Sequence, residues 1–196
     1  WPVELQSNIS HFAHKVISST LSQGKIESPE LSSIIFQILA QQNEESVRTG
    51  LILANSLCAA LKGSILLDNS QPETKEWIMN FYLTLLNALA TLFSQCELLP
   101  LLSIGFHCAY RLLASNPPID FQQLSGFLAP ILQKIGLIAN VLQNAIYVDF
   151  ASHALKFTKI FVKLFHQAIT PEMIGQFLGL ITGLLPLGLP PQIKCQ

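Results

Sequence analysis

Residues 70–95 read SQPETKEWIMNFYLTLLNALATLFSQ. Ser70 supplies a hydroxyl where a helix N-cap is needed. Glu73, three residues on, completes a capping box in which side chain and backbone satisfy each other's orphan donors. Pro72 suits a first helical turn, whose N–H has no intrahelical acceptor. Beyond the cap, Phe81, Leu85 and Leu89 recur every four residues, the spacing of one helix face. No stretch of apolar and polar residues alternates as a half-buried strand does, so the segment is predicted as a helix over 71–95.

The same start signals recur on both sides of it. Ser28-Pro29-Glu30 and Thr170-Pro171-Glu172 combine a hydroxyl cap, a first-turn proline and an acid at the positive end of the helix dipole. Asn43-Glu44-Glu45 repeats the cap and the acids, and Asp120 with Gln123 forms a weaker capping box. Helices are therefore predicted over 2–23, 29–41, 44–67, 71–95, 98–115, 120–144, 147–168 and 171–185. Loops this short place successive helices side by side and mostly antiparallel. Every second helix start steps by about 40 to 50 residues, and that period resembles the HEAT and armadillo families of α-solenoids. The likeness is of period and helix type and carries no signature string. It implies an all-α fold of about eight helices that holds macromolecules along stacked helical pairs. Pro130 falls inside a predicted helix and points toward a kink or break, which leaves an irregular helical bundle as the alternative architecture.

Of the 196 residues, 50% are hydrophobic and only 12% charged, so one large core is affordable and little purely solvated surface remains. A bilayer-spanning helix is not expected. Lys62 and Lys134 interrupt the longest apolar runs, and the uncharged stretch from Phe177 to Leu189 carries Gly179, Gly183, Pro186 and Gly188. The opening Trp1-Pro2-Val3 has no initiator Met and runs at once into helix pattern. The chain is therefore expected to be a single all-helical domain, 1–196, cut from a longer protein. The 4 cysteines, Cys58, Cys96, Cys108 and Cys195, show no CxxC pair or metal-finger spacing. They read as reduced thiols of a nuclear or cytosolic protein. A formal net charge of -1 gives no global field that advertises nucleic acid.

Chemistry is sparse. Most carboxylates, among them Glu30, Glu44, Glu73, Asp120 and Glu172, fall at helix starts, where dipole compensation accounts for them. His11 and His14 share a helix face without a third ligand nearby, and His107 next to Cys108 points about 100° away from it. Phosphate loops, dinucleotide fingerprints, nucleophile elbows and HExxH are missing. No catalytic activity, cofactor or metal is expected.

Two surfaces stand out. On the predicted helix 147–168, Lys156, Lys159 and Lys163, with His153 and His166 near the ends, share one arc opposite Phe150, Phe157, Phe161 and Phe165. Such a strip suits an acidic peptide or a phosphate backbone, or is simply a solvated face. The last helix is apolar nearly all round, with Phe177, Ile181, Leu184 and Leu185 as candidate partner contacts, unless it wedges into the chain's own core. The expected function is a protein–protein interaction scaffold whose partner covers apolar surface. A nucleic-acid-associated domain using the lysine strip is the alternative, and lipid or small-molecule binding between helices is a third class. Phe81, Leu85, Leu89, Phe106, Phe127, Leu155 and Phe161 are the expected core.

Overall fold

The computed structural model describes residues 29–41, 43–61, 72–115, 117, 119–138 and 148–184, together with His11, Lys15 and Ser19. Among these the chain is all-α, with no strand. Seven α-helices follow in order: α1 (Pro29–Leu39), α2 (Glu44–Ala60), α3 (Pro72–Gln95), α4 (Leu99–Ala114), α5 (Phe121–Ile138), α6 (Val148–Phe165) and α7 (Pro171–Leu184). A 3-10 turn, His166–Ala168, joins α6 to α7. They correspond to the second to eighth predicted helices. The first, over 2–23, lies outside the described residues apart from His11, Lys15 and Ser19, which are helical and exposed at a four-residue spacing.

Cap hydrogen bonds hold the starts of α2, α5 and α7. Asn43 Oδ1 accepts a 2.8 Å hydrogen bond from the Ser46 amide, and Arg48 pairs with Glu44 one turn on at 2.7 Å. The Asp120 capping box is fully reciprocal: the Gln123 amide donates to Asp120 Oδ1 at 2.8 Å, while the Asp120 amide donates to Gln123 Oε1 at 3.2 Å. Thr170 Oγ1 accepts from the Met173 amide at 3.3 Å. Ser70 lies outside the described residues, so of that capping box only the helix start at Pro72 is seen. Pro130, expected to kink or break its helix, sits within the continuous α5.

The connections 40–43, 96–98 and 166–170 turn the chain back on itself, so α1 packs on α2, α3 on α4 and α6 on α7. Each helix also packs on the next but one: α2, α4 and α6 form one row, and α1, α3, α5 and α7 form the other. The core lies between the rows. Gly50 lets α2 approach α1, since a Cβ there would sit 2.7 Å from the Leu39 side chain. Trp77 Nε1 of α3 donates to Ser32 Oγ of α1 at 3.0 Å.

An aromatic chain then runs through the centre. Phe93 of α3 meets Phe106 of α4 at 4.6 Å, Phe106 meets Phe150 of α6 at 5.2 Å, and Phe127 of α5 meets Phe157 at 6.4 Å. Phe81, Leu85, Leu89, Phe106, Phe127 and Phe161 are buried, as expected. Leu155 is not: it is 38% exposed. Helix α6 carries apolar residues on two sides, and its neighbours bury the phenylalanine side fully and the side of Leu155 and Val162 in part.

Helix α3 is also long and apolar enough over Lys75–Gln95 to cross a bilayer by length and composition. Its apolar residues Ile78, Phe81, Tyr82, Leu85, Leu89 and Phe93 are buried among the other helices, with 39% of the apolar window buried in all.

Candidate interaction surface

Helix α6 splits its side chains between two environments. Phe150, Phe157 and Phe161 are buried against α4, α5 and α7, and this fixes the roll of the helix. Lys156, Lys159 and Lys163 are consequently exposed, and no described carboxylate lies in salt-bridge reach of any of them.

His153, expected at the edge of this strip, turns instead into the seam with α4. Its ring stacks on His107 with centroids 4.5 Å apart, and its Nδ1 lies 3.0 Å from Ser103 Oγ. Arg111 Nε donates to His107 Nε2 at 3.3 Å, which requires that nitrogen to be unprotonated. Desolvation is the largest cause that lowers the His107 pKa to about 4, with His153, Arg111 and Lys156 adding repulsion. His153 is lowered too, by desolvation and by Lys156, against an opposing pull from Asp149. The pair is thus neutral near pH 7, and the positive charge of this face resides on Arg111 and the three lysines. His166 is exposed in the 3-10 turn, apart from the stack.

Ser103, His107 and Arg111 repeat every four residues along α4 and escaped the sequence reading, which treated His107 only as a neighbour of Cys108. The spacing was the available signal; the missing knowledge was that α6 lies beside it. Cys108 is buried, as expected, and hydrogen-bonds Cys58 across the α2–α4 contact, where burial above all pushes the Cys58 thiol pKa upward. A thiol held protonated in this way is a packing group at neutral pH. Among the described residues no three His, Cys, Asp or Glu side chains converge as a metal site. His14 lies outside them.

The apolar C-terminal candidates divide. Phe177 is 5% exposed and packs on Phe161 at 6.1 Å, so it belongs to the chain's own core and is closed to a partner. On α7 the outward apolar residues are Ile174 and Leu178, 48% and 54% exposed. The side chains of Ile181 and Leu184 and the whole of Leu185 are outside the described residues.

A groove of about 670 Å³ separates the α1–α2 pair from the α3–α4 pair. Leu39, Val47, Leu51 and Leu92 make its wall apolar, while Asn43, Thr84, Asn87 and Gln95 supply polar groups. Cys96, half-buried, also lines it.

No family model, curated protein or solved structure matches the chain.

Proposed function

We propose that this chain is a non-enzymatic scaffold segment of α-solenoid type, similar to HEAT and armadillo arrays, that holds another protein on the outer face of the α2–α4–α6 row. The observation that carries this reading is the packing order, in which every helix contacts the next but one. Stacked helical hairpins produce that order, and arrays of this kind present long rows of parallel surface to partners. The row bears the exposed Lys156, Lys159 and Lys163, which have no salt-bridge partner among the described residues, with the partly buried Arg111 on His107 beside them, and this gives an acidic partner a complementary field. Free cysteines support a reducing, nuclear or cytosolic setting.

The nucleic-acid alternative draws on the same cations. Four of them, against a formal net charge of -1 for the whole chain, suffice only for weak, salt-sensitive phosphate contact. The test is co-purification of partners from nuclease-treated extract by the wild type and by a Lys156→Gln, Lys159→Gln, Lys163→Gln variant of unchanged helicity. A protein partner retained by the first and lost by the second supports the scaffold reading. Recovery that disappears on nuclease treatment, or identical recovery by both chains, overturns it.

A further inference from the structure

Helices α6 and α7 carry several apolar side chains that stand partly exposed among the described residues. Of the large apolar residues more than a third exposed among the described residues, Leu155, Val162, Ile174 and Leu178 are on these two helices, against Ile34 and Leu98 elsewhere. The direction of the first two is informative. His153 and Phe157 face α4. Leu155 is two residues from each, and so about 160° around the helix from both. Leu155 and Val162 therefore point directly away from α4, to the side where a further helix of the α2–α4–α6 row would lie. They are seven residues apart, about 10.5 Å along the axis, and form a two-turn apolar seam. Lys156, Lys159 and Lys163 run along its solvent side over the same length.

We infer that this seam docks an amphipathic helix of another protein, with apolar residues at seven-residue spacing and Asp or Glu on the flank that meets Lys156, Lys159 and Lys163. The partner helix lies along α6 on the side opposite α4, over the two turns that Leu155 and Val162 span. This deepens the scaffold reading and rests on it. A second copy of the chain fits less well, because a two-fold contact through the same face brings each lysine strip against its own kind. A nucleic acid duplex leaves Leu155 and Val162 without a role.

The probe is a synthetic peptide of about three heptads with Leu at a and d and Glu at e and g, compared with the same peptide carrying Lys at e and g. Binding to the intact chain is followed by fluorescence anisotropy, alongside a short DNA duplex and sedimentation of the chain alone. The Glu peptide is expected to bind at least about tenfold more tightly than the Lys peptide. Leu155→Asp with Val162→Asp should cost at least about another tenfold. If that pair fails to fold, Leu155→Gln with Val162→Thr replaces it, with a smaller loss expected. The triple Lys→Gln variant should weaken the Glu peptide and flatten its salt dependence. No binding of the Glu peptide up to about millimolar, the limit of weak association, overturns the proposal. Equal binding of both peptides overturns it, as does a dimer that dissolves on Leu155→Asp. A natural partner lost by the lysine variant but kept by the Leu155→Asp, Val162→Asp variant refutes the seam and leaves the scaffold reading standing.

Discussion

Truncating Phe161 to Ala should destabilise the chain far more than truncating Leu155 to Ala, six residues earlier on the same helix. Phe161 is fully buried and its ring joins three helices: 6.3 Å from Phe121 of α5, 6.0 Å and 5.1 Å from Phe157 and Phe165 of α6, and 6.1 Å from Phe177 of α7. Removing it discards the transfer free energy of the ring and leaves a cavity that four surrounding phenylalanines close only in part, a loss of about 3 to 5 kcal/mol. For a domain of this size each kcal/mol lowers Tm by roughly 2 to 4 °C, so the midpoint should fall by about 10 °C. Leu155, at 38% exposure, has a solvated side in the free chain, and its truncation should cost about 1 kcal/mol or less. Thermal and urea unfolding followed by far-UV circular dichroism measure both. Equal losses for the two variants, or a larger loss for Leu155→Ala, would mean that α6 is rolled differently about its axis, and the seam would then have no basis.

Acid should weaken the fold through the histidine stack. Above pH 6.5 His107 is neutral folded and unfolded; below it the unfolded chain takes up the proton first, because the folded value is lowered to about 4. Stability should therefore decline between those limits, by about 2 kcal/mol once solvent screening of a partly exposed ring is allowed for. His107→Gln should flatten this slope between pH 6.5 and 5, and a wild-type slope in the variant would refute the assignment. Asp120→Ala should cost about 0.5 to 2 kcal/mol, with the Gln123 amide losing its protection from hydrogen exchange; retained protection would show that the capping box does not hold the start of α5.

Helix starts were legible because cap chemistry is local. The starts predicted from cap signals at 29, 44, 71, 120 and 171 stand beside observed starts at Pro29, Glu44, Pro72, Phe121 and Pro171, and those predicted without one at 98 and 147 stand beside Leu99, whose N-cap makes no side-chain hydrogen bond, and Val148. Each described helix also packs on the next but one. Tertiary neighbours decided the rest. Leu155 and Phe161 lie on different apolar sides of α6, and periodicity alone does not say which side meets the core. His153 reads as part of a basic strip until α4 brings Ser103 and His107 to it. Phe177 reads as partner-facing until Phe161 covers it. The shared exposure of Lys156, Lys159 and Lys163 follows from their helical spacing opposite the buried phenylalanines.

Site-specific photocrosslinking tests the docking surface most directly. A photoreactive side chain is placed singly at Val162 on the seam, at Leu98 beside the apolar groove and at Ile34 on α1, all exposed positions. Each chain is irradiated with the protein that co-purifies with the wild type. If the seam is the docking site, Val162 crosslinks to that protein, the Glu-flanked peptide suppresses the product, and Ile34 and Leu98 give none. Crosslinks from Leu98 or Ile34 with none from Val162 would contradict it.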